Sequence, residues 1–156
     1  MSWRRLNGEL LQGDIRDLVR QTIDAENKAG NKIKICVGTD SQQRADCIGF
    51  ATVIVFLREK KGGFMYIKSA KYFQTMGLRE RMIYEVSKSV EVAYQLCDIL
   101  DELGVDLEVH ADINTDPGFK SNSALKEAMG YIMGMGFVFK AKPDAFASSS
   151  CADKVV

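Results

Sequence analysis

Lys32-Ile33-Lys34-Ile35-Cys36-Val37-Gly38 alternates and then turns apolar, and Cys47-Ile48-Gly49-Phe50-Ala51-Thr52-Val53-Ile54-Val55-Phe56-Leu57-Arg58 follows it with a run of β-branched and aromatic residues. Both are strand patterns. Lys60-Lys61-Gly62-Gly63 is a hairpin turn signal, and Phe64 to Phe73 continues as a third strand. The three strands predict an antiparallel meander.

Outward from this core the period changes. Residues 13–29 place Ile15, Leu18, Val19, Thr22 and Ile23 on one helical stripe, with Asp14 at the start and Gly30 just past the end. On the other side, residues 78–103 lack Gly and Pro and carry Met82, Val86, Val90, Ala93, Leu96, Cys97 and Leu100 at helical spacing, up to Gly104. Asp106 to Ala111 reads as a fourth strand, and Thr115-Asp116-Pro117-Gly118 as a turn. Ser121 or Asn122 begins a helix through Met135, Phe137 to Ala141 is a fifth strand, and Ser148 to Val156 opens a last helix. A meander followed by alternating helices and strands implies an α/β fold, with one five-stranded mixed sheet flanked by helices and an extra N-terminal helix. The 156 residues fit a single domain, 1–156.

Composition excludes several classes. Apolar residues are 46% and charged residues 27%, ordinary for a soluble globular chain. No apolar run approaches the ~20 residues of a membrane helix, and Met1-Ser2-Trp3-Arg4-Arg5 has no apolar segment behind it to make a signal peptide. Cys36, Cys47, Cys97 and Cys151 form no CxxC pair and read as reduced cysteines of a cytoplasmic protein. Net charge is zero, but residues 1–76 hold 13 Lys/Arg against 8 Asp/Glu and the rest hold the reverse. A basic half suits a polyanion and an acidic half suits metal; scattered solvated charges explain the imbalance as well.

The chemistry lies where acids meet strand ends. Asp40 follows the first strand and Asp112 ends the fourth. If those strands are neighbours, both carboxylates enter one crevice, and a hard divalent cation relieves their repulsion through oxygen ligation. Glu85, early in the long helix and on the face of the small Ser89, is preferred as a third ligand over Glu80, which lies nearer the helix start. Asp153, at the head of the last helix, is the fourth candidate.

Gly38-Thr39-Asp40-Ser41-Gln42, His110-Ala111-Asp112-Ile113-Asn114, Met133-Gly134-Met135-Gly136-Phe137, Lys142-Pro143-Asp144-Ala145-Phe146-Ala147 and Ala152-Asp153-Lys154 together resemble the YkuK-like family of RNase H-like proteins. The resemblance runs from about residue 30 to the end. It implies an RNase H-like fold with strand order 3-2-1-4-5, a predicted nuclease activity, and an acidic cluster of Asp40, Glu85, Asp112 and Asp153.

The expected reaction is hydrolysis of nucleic-acid phosphodiester bonds assisted by two Mg²⁺ or Mn²⁺ ions about 4 Å apart among those four acids. Ser41, Gln42, Asn114, Lys120 and Lys142 are candidate substrate contacts, with turn-forming or solvated roles as the plain alternative. Met129, Met133 and Met135 read as core rather than as ligands. The competing function is a binding module of the same fold that holds nucleic acid or a protein without cleaving. A sugar-kinase relative would need a paired-domain cleft for which the chain is too short.

Overall fold

The computed structural model describes residues 2–113 and 122–156. Its first strand, β1 (Trp3–Arg5), is one that the sequence pattern does not announce. Then come α1 (Ile15–Lys28) and three strands of eleven residues each, β2 (Ile33–Gln43), β3 (Ile48–Arg58) and β4 (Gly62–Tyr72). The second half holds α2 (Leu78–Glu102), β5 (Asp106–His110), α3 (Asn122–Gly134) and β6 (Val138–Lys140). It closes with a wide π-type turn (Ala147–Ala152) running into α4 (Asp153–Val155).

The sheet order is β1-β4-β3-β2-β5-β6. The last five follow the expected order, with β2 central and parallel to β5. The correction is a sixth strand at the edge, where Trp3 to Arg5 pair antiparallel with Lys68 to Tyr66 of β4. Three residues are too few to show alternation. They become a strand because β4 offers an unpaired edge and because the Trp3 ring is buried in the core.

Both faces of the central strands are covered, which is why they read as nearly continuous apolar runs. On one face Ile15, Val19 and Ile23 of α1 and Val92, Leu96 and Leu100 of α2 pack on Ile35, Val37, Ile54 and Phe56. A helix the length of α1 is marginal alone in water. Burying Val19 and Ile23 completely, at roughly 1.5–3 kcal/mol each, holds it in place. On the opposite face Cys36, Val53, Val55 and Ile67 meet Ala147 and Ala152 of the closing turn. Among the described residues, no helix is long and apolar enough to cross a membrane.

The methionine reading needs correction. Met129 packs against the core, but Met133 and Met135 are 60% and 41% exposed. Ile132, one turn on from Met129, takes the inward position at zero exposure and turns its neighbour Met133 outward.

Candidate metal centre

The parallel pairing of β2 with β5 runs only as far as Gly38 and His110. β2 itself continues to Gln43, paired with β3, so Asp40 is a strand residue opposite Ala51 rather than part of a turn. Beyond Gly38, β2 has lost its β5 neighbour. This opens a gap at the carboxyl end of the two parallel strands, the usual place for a site in a sheet of this kind.

The chain after β5 is tied instead to β6 and the residues behind it, on the side away from β2. The Ala111 amide bonds Lys140 O at 2.9 Å, and the Lys142 amide bonds Ile113 O at 3.2 Å. Asp112 therefore lies two residues past the observed strand end, with Lys142 beside it. Lys142 Nζ stands 2.9 Å from Asp112 Oδ1. The two form an ion pair without hydrogen-bond alignment, so this buried oxygen makes no hydrogen bond among the described residues.

Asp40 and Glu85 are 8% and 7% exposed. Glu85 reaches the gap from α2, whose next inward turn is the fully buried Ser89, bonded at 2.6 Å to Thr39. Burial is the main cause that pushes Asp40 up to about 7. The hydrogen bond that the protonated Asp40 donates to Asp153 and the negative charges of Asp112 and Asp153 add to it, against a bond from the Ser41 backbone. Burial also pushes Glu85 up to about 8, reinforced by the charges of Asp40 and Asp112 and opposed by the Ser41 hydroxyl and Arg81. Asp40 thus lies within electrostatic reach of Asp112, Asp153 and Glu85, and Glu85 within reach of Asp112. Glu80 stays exposed in the first turn of α2.

The other selected residues divide. Ser41 is buried and donates to Glu85 Oε2, while Arg81 Nε donates to the Ser41 hydroxyl at 2.9 Å. Arg81 is the residue that sequence reasoning missed. Its signal was the i, i+4 spacing to Glu85 on a helix. Gln42 is exposed, and Asn114 and Lys120 lie outside the described residues.

Asp153 arrives from the other face, at the end of the π-type turn, and its position depends on Gly38. A side-chain carbon there would fall 2.5 Å from Ser148 N and 2.6 Å from Ala147 C. Both obstacles are backbone, so the turn must move. Gly38→Ala is expected to cost about 1–3 kcal/mol. A urea midpoint equal to that of the wild type would show that the turn yields freely.

The donor set fits a hard divalent cation. All donors are oxygens, one buried carboxylate oxygen lacks a hydrogen bond among the described residues, and two carboxyls hold protons that a cation would displace. A second, tighter cluster lies deeper in the sheet. Donor atoms of Cys36, Glu108 and His110 come within 4.8 Å of one another, which no three of the four acids do.

A family model described as Ribonuclease H-like matches residues 14–156. No curated protein and no solved structure matches the chain.

Proposed function

Because this chain belongs to the Ribonuclease H-like family, the YkuK family of the sequence resemblance, we propose that it is a divalent-metal-dependent nuclease hydrolysing phosphodiester bonds of a nucleic acid. The observation that supports this reading is the buried Asp40 at the open end of β2, within electrostatic reach of Glu85, Asp112 and Asp153, with one Asp112 oxygen that makes no hydrogen bond among the described residues. Asp40, Glu85, Asp112 and Asp153 are the metal ligands and catalytic groups. Mg²⁺ or Mn²⁺, when bound, supplies the positive charge that lowers the pKa of a water and steadies the leaving oxygen.

The chain's own residues then have distinct tasks. Asp40 gives up its proton to solvent, and it and Asp153 turn their carboxylates toward the cation. Ser41, braced by Arg81, aims Glu85. Lys142, whose side chain is 44% exposed, moves from Asp112 to a substrate phosphate. Gln42, Asn114 and Lys120 are the further candidates for contact with the sugar-phosphate backbone.

One observation favours a second reading. Lys142 already brings a positive charge to Asp112, as a non-catalytic module that binds nucleic acid or a protein would retain it. A single experiment separates the two. The protein is titrated with Mn²⁺ by calorimetry and incubated with labelled RNA, DNA, hybrid and branched substrates in Mg²⁺, Mn²⁺ or EDTA. The nuclease reading expects Mn²⁺ binding that strengthens from pH 6 to 8 as the ligands lose protons, and cleavage that EDTA stops. Binding of a panel member without cleavage establishes the module instead.

A further inference from the structure

We propose that His110 is a positioning residue that seats the turn carrying Asp153 and so sets the fourth carboxylate of the metal site. The inference rests on the metal role proposed for Asp153. Its ground is the cluster of Cys36, Glu108 and His110, which at first sight is itself a metal site.

The hydrogen bonds rule differently. The His110 ring is buried, and its Nδ1 accepts the backbone N–H of Ala147 at 3.1 Å. A nitrogen that accepts carries no proton, so the neutral ring holds its proton on Nε2 and donates it to Glu108 Oε1 at 3.0 Å. A metal-bound histidine has the opposite need. Its far nitrogen must donate to an acceptor, whereas here the far nitrogen faces a donor. Lys34 already engages the other Glu108 oxygen at 2.5 Å. The cluster is a chain from Lys34 through Glu108 and His110 to one backbone amide.

That amide opens the π-type turn. Ser148 and Ser149 find their backbone acceptor in Ala145 O, while the fully buried Ala147 finds its own in His110. An amide buried without a partner is costly. Phe146 sets its ring edgewise on the imidazole at 4.8 Å. Across the sheet, the partner of His110 in register is Gly38, the residue whose missing side chain leaves room for Ala147 and Ser148. One row of the β2–β5 ladder therefore supplies both the space and the acceptor, and the seated turn runs straight into Asp153.

The test compares three substitutions in the full chain. His110→Phe keeps the ring and its contact with Phe146 but removes the acceptor. His110→Asn restores an oxygen near the Nδ1 position. His110→Gln reaches toward Glu108 without serving Ala147, and replaces Phe in the comparison if the Phe protein does not fold. Mn²⁺ affinity is measured by calorimetry, with Asp153→Asn and the double variant alongside, and kcat and KM on the cleaved nucleic acid.

His110→Phe is expected to weaken Mn²⁺ binding about 10–100-fold and to lower kcat with KM unchanged. Asn is expected to recover most of the loss. The double variant should bind no more weakly than Asp153→Asn alone, because both changes remove the same ligand. Wild-type Mn²⁺ affinity in His110→Phe, with Asp153→Asn still impaired, overturns the positioning role and leaves the metal site standing. Wild-type affinity in Asp153→Asn overturns the Asp153 assignment itself, and the positioning role with it. Equal losses in the Phe and Asn variants would mark His110 as packing only.

Discussion

Asp153→Asn is expected to leave folding and nucleic-acid affinity nearly unchanged while cutting Mg²⁺-dependent cleavage by two to three orders of magnitude, about the effect of removing one preorganised electrostatic group from an active site. The two halves of this expectation have separate causes. Asp153 is exposed and begins a helix of three residues, so its help to that helix is worth at most about 1 kcal/mol. Its carboxyl lies against that of Asp40. An Asn carbonyl oxygen at that position accepts from the protonated Asp40 as the carboxylate does, so the contact survives in the metal-free protein. What Asn cannot supply is a negative oxygen to a cation. Thermal unfolding in EDTA and single-turnover cleavage in Mg²⁺ are the two measurements. Unaltered cleavage would remove Asp153 from the site, and a large fall in melting temperature would make its role structural.

The second large effect is on stability against pH in EDTA. Asp40 and Glu85 titrate near 7 and 8 in the native protein instead of in the ordinary carboxylate range. The native state therefore keeps protons that the unfolded chain has released. Stability is greatest below the ordinary carboxylate pKa and falls as pH rises through the native values. One pKa unit is about 1.4 kcal/mol. Two coupled groups displaced this far lose on the order of a few kcal/mol by pH 8.

Other groups do not hide the effect. Glu26 is held low by its hydrogen bond from Arg58 and Asp98 by its bond from Arg16, and both act only at acid pH. His110, kept neutral by burial, favours the native state as pH rises, but only up to its ordinary value near 6.5. Urea titrations from pH 6.5 to 8.5 in EDTA should show a falling midpoint, and Asp40→Asn should show a shallower fall and greater stability than wild type at pH 8. Saturating Mn²⁺ should flatten the wild-type curve, since binding the native state alone stabilises it and the ligands then ionise without repulsion. A midpoint that is level or rises with pH would mean that the acids are better solvated than their burial implies.

How far the site is legible depends on how local its signals are. Asp40 and Asp112 stand out because each interrupts apolar strand sequence, and Glu85 because it shares a helical face with a small buried serine. The brace from Arg81 through Ser41 to Glu85 joins β2 to α2, and no local pattern marks Ser41 as its middle member. Gly38 and His110 look like a strand-end glycine and a core histidine until β2 and β5 are set in register. β1 shows the same limit at the level of the fold, since its three residues are a strand only against the edge of β4.

Through its resemblance to a family the sequence implied that β5 returns beside β2; by itself it determined the meander, the helix stripes and the acids near the strand ends. Each of these follows from residue periodicity, chain connectivity and the position of a charge in an apolar run. Only the tertiary structure decided that β2 outruns β5 and leaves Asp40 at an open gap. It alone decided that Lys142 faces Asp112, and that the row of Gly38 and His110 receives the turn bearing Asp153. Those outcomes depend on register, burial and the direction of single hydrogen bonds between residues far apart in the chain, quantities that exist only once the strands are paired.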